Sequence, residues 1–194
     1  MSRVVVNNNV TLDGVMQAPG HPDEDRRGGF EHGGWATSYV DEVMGQKMGE
    51  GIARGGALLL GRRTYEKMER AWADGPEDSP FTKVMNERQK YVASTTLEGP
   101  LEWSNSTLLE GDAADAVAEF RQQPGKDLVV LGSAELAQSL MRRNLVDEYV
   151  LLIHPLVLGS GLRLFPEGSP DRALKLVDST PTTTGVIIAT YHPC

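Results

Sequence analysis

Short apolar runs alternate with helix-forming stretches along this chain, and that alternation predicts an α/β fold built on a mixed sheet. Three observations carry the expectation. The runs ALLL (57–60) and LVVL (128–131) are continuous and apolar, as in strands buried on both faces. Each stops at a glycine, Gly61 or Gly132, and residues that open a helix follow. The two last strand-like segments, 173–177 and 186–191, lie close enough to pair as an antiparallel hairpin. A parallel core is thus finished by antiparallel C-terminal strands.

The elements follow in order. Val4 to Val6 is the first strand, and three asparagines lead from it to the turn Asp13-Gly14. Residues 16–34 are rich in glycine, proline and charge and read as a long surface loop, a length usually kept for function or disorder. Residues 39–51 show helical spacing at Val40, Val43, Met44 and Met48. After the strand at 57–60, a short helix spans Thr64 to about Arg70, and residues 74–80 form a loop. Strands follow at 90–94 and 107–109. Asp112 caps a helix that Pro124-Gly125 ends. Beyond the strand at 128–131, Ser133 is placed as the N-cap of a helix carrying Leu136, Leu140 and Met141 on one face. Residues 148–153 form the next strand.

The totals narrow the function classes. At 194 residues the chain suits one domain, 1–194, with a full core. A net charge of −8 argues against a nucleic-acid binder, which normally shows a basic face. The single cysteine, Cys194, allows neither a disulfide within the chain nor a cysteine metal site, and fits a reducing cytosol. No segment has the length of a membrane span or the pattern of a signal peptide. The expectation is a soluble, cytoplasmic protein.

Chemistry concentrates at the two glycine turns. A strand that ends at Gly61 and feeds a helix leaves backbone N–H groups free for an anion. Arg62 and Arg63 beside them favour a phosphate, because a guanidinium matches phosphate oxygens in pairs; the alternative is a solvated loop. Gly132-Ser133 repeats the arrangement, with a plain helix cap as the alternative, and Glu135 would repel a phosphate if it faced inward. Two such turns could grip two parts of one extended ligand, such as a dinucleotide. No GxxxxGK[ST] occurs, and Gly159-Ser160-Gly161 lacks the third glycine of GxGxxG. The four histidines show no metal-ligand spacing, so no metal is expected. Asp13 reads first as a turn residue, and Asp41 as a charge at a helix start.

In this order the motifs resemble a known family. TLDGVMQAPG resembles the strand-exit loop of the dihydrofolate reductase superfamily, ALLLGRRTYE its strand-Gly-Arg-x-Thr-aromatic element, and KYVASTTL its next cofactor-binding strand. DLVVLGSAELAQSLMRRNLVDEYVLLIHPLVLGSGLRLF closely resembles part of the reductase domain of bacterial bifunctional riboflavin-biosynthesis deaminase-reductases. The resemblance runs from Arg3 to Tyr191. It implies a three-layer α/β/α fold with a mostly parallel sheet, NADPH bound across the sheet's C-terminal edge, and hydride transfer to a small heterocyclic or imine-like substrate.

Carried over by position, it places the phosphates on Gly61, Arg62, Arg63 and Thr64. The adenosine end falls on Ser94 and Thr95, and the pyrophosphate and nicotinamide side on Gly132, Ser133 and Ala134. Thr11, Asp13 and Gly14 border the nicotinamide, and Met16 and Gln17 lie near the substrate. Asp13 and Asp41 become the candidate catalytic carboxylates, with the proton coming from Asp41 or water. No deaminase half is present, because H-x-E and P-C-x-x-C are absent. Three readings follow. One is an NADPH-dependent reductase, acting on 5-amino-6-(5-phosphoribosylamino)uracil or another small molecule; the long polar stretch 12–35 disfavours dihydrofolate. The others are a non-catalytic cofactor-binding module and an unrelated α/β domain. By analogy with such reductases, a homodimer is expected.

Overall fold

The computed structural model describes residues 2–76 and 78–194. The first strand, β1 (Val4–Thr11), runs straight through Asn7, Asn8 and Asn9, which the sequence pattern assigned to a connection. Asparagine is a poor strand residue, but the β6 ladder along all three, with β5 on the other side as far as Asn7, overrides that preference. Helix α1 (Glu42–Arg54) is followed by β2 (Ala57–Gly61) and α2 (Arg62–Trp72). Then come α3 (Pro80–Glu87), β3 (Lys90–Ala93), β4 (Ser106–Leu108) and α4 (Ala113–Gln122). The chain ends with β5 (Leu128–Leu131), α5 (Ala134–Arg142), β6 (Glu148–His154), β7 (Leu174–Pro181) and β8 (Ile187–Pro193).

All eight strands join one sheet in the order β4-β3-β2-β5-β1-β6-β8-β7. Every pairing from β4 to β6 is parallel, and β6–β8 and β8–β7 are antiparallel. The expected mixed sheet is therefore present. Its two faces are covered differently. Helices α4 and α5 pack Val117, Leu136 and Leu140 on Val4, Val6, Leu128 and Val130. On the other face, Tyr65 of α2 and Met85 of α3 meet Leu58, Leu60 and Val92, while Met44 of α1 meets Leu152 and Ile188. Helix, sheet and helix make the three expected layers. No helix among the described residues is long and apolar enough to cross a membrane.

Four expectations are revised. Helix α3 was not foreseen, although Ser79 accepts a hydrogen bond from the Thr82 N–H at 3.3 Å and Pro80 occupies the first turn, both helix-start signals. Helix α1 begins at Glu42 rather than Tyr39, because Asp41 is its N-cap and accepts from the Met44 N–H at 2.8 Å. Helix α2 begins at Arg62, which puts both arginines in its first turn. Stretch 16–34 is no freely solvated loop: Phe30, Trp35 and Ala18 pack with Val15 into a small core, and Trp35 Nε1 donates to the Gln17 carbonyl at 2.7 Å.

Candidate active site

The two glycine turns meet at the C-terminal edge of the sheet. The Gly61 N–H donates to Ser133 Oγ at 3.0 Å, and that hydroxyl donates to the Leu131 carbonyl at 2.9 Å. Ser133 itself lies in the left-handed region at φ 55°, ψ 54°, next to Gly132 at φ 55°. Its hydroxyl is thus turned away from its own helix. The expected N-cap role fails for this reason, and α5 starts without a side-chain cap. Helix α2, beginning behind Gly61, also has none. By contrast, Asp41, Ser79 and Asp112 cap α1, α3 and α4. The two open N-termini are the two that adjoin, and each offers free N–H groups and a positive dipole end.

Charge at this edge agrees. Arg62 and Arg63 occupy the first turn of α2; Arg62 has only a distant Glu66 at 3.9 Å, and Arg63 pairs with no carboxylate among the described residues. Glu135, the feared repulsive group, points away: it is 81% exposed and takes an ion pair from Arg27 at 3.1 Å. Thr64 lies against Gly132, where an added Cβ would meet its side chain at 3.4 Å. Ser94 and Thr95 follow the end of β3, whose Ala93 pairs with Gly61. The Ser94 hydroxyl accepts from the Thr96 and Leu97 N–H groups, while Thr95 is exposed.

A trench leads from this edge across the sheet. Helix α2 lies over β2–β3 and α1 over β6–β8, about four strand spacings or ~19 Å apart. Touching helices would stand only about 8–10 Å apart. Strands β5 and β1 therefore floor an uncovered strip, where Val129, Leu131, Asn7 and Asn9 stay half-buried. Lys47 on α1 approaches Asp178 of β7 at 3.9 Å, and the neighbouring Met48 is 47% exposed. The sequence reading missed Asn7 and Asn9, because three asparagines look like a turn.

The other expected site residues prove to be fastenings. Asp13 accepts from the Thr11 hydroxyl at 2.5 Å and from the Leu158 and Gly159 N–H groups at 3.2 and 2.9 Å. Burial pushes its carboxyl up, but these hydrogen bonds outweigh it and hold the group at about 2. Asp41 is held at about 2 as well, first by the Thr183 hydroxyl and then by the Met44, Thr183 and Thr184 N–H groups. One carboxylate ties β1 to the Gly159 loop; the other ties α1 to the β7–β8 turn. Both are held as anions near neutral pH, so neither is a ready proton donor there.

Met16 is buried in the core, and Gln17 spends its side chain on Asp25 O, Arg27 O and the Leu162 N–H. They hold the 16–34 segment in place. Thr11 Oγ1 also accepts from the Val15 N–H at 2.9 Å, and Gly14 turns at φ 79°. Thr11, Asp13 and Gly14 thus form the clasp at the end of β1. The 16–34 segment crosses the edge to reach Lys67 on α2 through Glu24 and α5 through Arg27.

The RibD C-terminal domain family matches residues 2–188. The chain belongs to that family. YyaP, an uncharacterised protein of Bacillus subtilis, is 27% identical over 98% of this chain and 94% of its own. Solved structures share the fold at lower identity. A Shewanella sp. PV-4 protein named for riboflavin biosynthesis has a TM-score of 0.71 and 22% identity over 99% of both chains. Enterococcus faecalis dihydrofolate reductase, solved with NADP(H), gives 0.61 and 15% over 98% of this chain and 96% of its own. A Thermotoga maritima deaminase and 5-amino-6-(5-phosphoribosylamino)uracil reductase gives 0.64 and 14%; this chain covers 57% of it. The family is one of riboflavin-pathway reductase-type domains with a dihydrofolate reductase-like fold.

Proposed function

We propose that this chain is an NADPH-dependent reductase that delivers hydride to a small heterocyclic substrate. The observation that carries the reading is the pair of uncapped helix N-termini joined through Gly61 and Ser133, opening onto the trench. These residues fit the cofactor. The N–H groups of Arg62 to Thr64 and of Ala134 would take phosphate oxygens, and Arg62 or Arg63 would take the extra phosphate that separates NADPH from NADH. Bound NADPH would supply the hydride from its nicotinamide ring. The chain's own part is to align a flat substrate over Asn7 and Asn9 and to keep water out with the 16–34 segment. With Asp13 and Asp41 both held as anions, the proton for the reduced substrate comes from water.

The first substrate to test is 5-amino-6-(5-phosphoribosylamino)uracil, named for the Thermotoga protein. Dihydrofolate is disfavoured, because Asp41, the acidic match on α1, is spent on Thr183. A second reading, a cofactor-binding domain without catalysis, draws on the same fact that both carboxylates are fastenings. Calorimetry with NADPH and NADH tests cofactor binding; absence of heat with either at millimolar concentration would end the proposal. Cofactor oxidation over a panel of pyrimidines, pterins and imines separates the two readings. We further place the protein in the cytosol as a homodimer, with β7, an edge strand exposed along most of its length, as the pairing edge.

A further inference from the structure

Beneath the trench lies a buried histidine that none of the chemistry above employs. His154, at the end of β6, is wholly buried between Trp35 and Tyr39, whose rings meet it edge-on at 5.0 and 5.4 Å. Its Nε2 is 2.8 Å from Asn9 Oδ1, across the β1–β6 ladder, and its Nδ1 has no partner among the described residues. Burial holds the imidazole down to about 4, so it is neutral near pH 7. A neutral ring carries one proton. On Nδ1 that proton would be a buried donor with no acceptor, the costlier orphan, so it sits on Nε2 and is donated to Asn9 Oδ1.

The consequence falls on the Asn9 amide. Its oxygen is occupied and its orientation fixed. Its Nδ2 donates to no described residue and is not among the sealed polar atoms; the uncovered side of this half-buried residue is the trench. Asn7, two residues back on the same face and about 7 Å away, makes no side-chain hydrogen bond among the described residues. The trench floor therefore offers a fixed N–H donor, and Asp13 and Asp41, the candidate carboxylates, are turned elsewhere.

We infer that Asn9, oriented by His154, is the specificity-determining donor of the trench, selecting rings that present a carbonyl oxygen over rings that present an amidine. Asn9 is the contact residue and His154 a positioning residue. The inference rests on the trench being the substrate side of the proposed reductase. A ring carbonyl accepts from Nδ2, whereas an amidine N–H placed against Nδ2 leaves two donors face to face and both unpaired.

The test uses the full chain saturated with NADPH and two probes, 5,6-diaminouracil and 2,4-diaminopyrimidine, with dissociation constants from calorimetry and the Asn9 side-chain amide followed by nitrogen-15 NMR. The wild type should prefer the uracil by about tenfold, with its Asn9 amide signals shifted on binding. Asn9→Asp, equal in size but an acceptor toward the trench, should reverse the preference. His154→Phe should erase it, and His154→Gln, which keeps an N–H for Asn9 Oδ1, should restore it. An unchanged preference in Asn9→Asp with NADPH affinity retained overturns the inference, as does a wild type that binds neither probe. Failure of the cofactor reading shows separately, as no NADPH binding, and the probe preference is then read on the cofactor-free chain.

Discussion

The Gly61 N–H and the Ser133 hydroxyl are 3.0 Å apart, although 72 residues separate them in sequence. This bond sets the spacing between two open helix N-termini. Ser133→Ala removes it together with the bond to Leu131 O, and leaves alanine in a left-handed conformation. The expected result is a loss of about 1–2 kcal/mol in urea unfolding and about tenfold weaker NADPH binding. Ser133→Gly relieves the backbone but not the missing hydroxyl, so it should recover stability and leave the affinity low. Equal affinity in wild type and Ser133→Gly would show that the bond does not position the phosphate donors.

Arg62 and Arg63 stand in the first turn of α2 with almost no carboxylate competition. If they hold the extra phosphate, replacing both with alanine should weaken NADPH binding at least about tenfold and leave NADH within about twofold. Both residues are on the surface, and the fold should be unaffected. Calorimetry with the two nicotinamides decides; equal losses would move the extra phosphate elsewhere.

Much of this architecture was legible in the residues. ALLL and LVVL read as strands because they are, though Val129 and Leu131 are only half-buried, and the glycines after them mark both turns. Stretches whose local chemistry contradicts their place were not legible. Asn7 to Asn9 look like a turn and form the middle of β1, held there by β5 and β6, segments more than a hundred residues away. Asp13 and Asp41 looked like available acids because their partners, Gly159 and Thr183, are also remote. Sequence places a carboxylate; only the fold shows what occupies it.

His154 should govern stability in mild acid. Burial lowers its folded value to about 4 from the ordinary 6.5, so the unfolded chain binds this proton more readily. The stability it contributes is complete above pH 6.5 and is lost as pH falls from 6.5 toward 4, by at most about 3 kcal/mol. Asp13 and Asp41, both held low, act in a separate window, with stability present above about pH 4 and lost toward pH 2. Unfolding by urea at pH 7, 5.5 and 4.5 checks this. The slope should be present in wild type and largely gone in His154→Gln.

Gly161 is fixed by space as well as by backbone. At φ +118° a Cβ would stand 2.7 Å from Phe30 and 2.8 Å from Val15, both in the small core under the 16–34 segment. Gly161→Ala should therefore cost about 2–4 kcal/mol and loosen that segment, visible as faster amide exchange near Phe30. Gly159→Ala, strained at φ +78° but with nothing within 4 Å, should cost less than Gly161→Ala. Similar losses for both would show that the core beneath Gly161 yields easily.

Arg27 is the counter-ion of Glu135, the acidic residue in the first turn of α5. It pairs with Asp25 at 2.6 Å and with Glu135 at 3.1 Å, and so draws a carboxylate away from the N-terminus of α5. Glu135 is mostly exposed, and the pair itself is worth little to stability, about 0.5 kcal/mol. Its effect on an anion should be larger. Arg27→Ala leaves Glu135 free beside the phosphate donors and should weaken NADPH binding severalfold, less so in high salt. Glu135→Gln should strengthen it, and the double variant Arg27→Ala/Glu135→Gln should return to near the affinity of Glu135→Gln alone. That non-additivity distinguishes charge neutralisation from a general loosening of the 16–34 segment, in which Arg27→Ala would cost the same with or without Glu135.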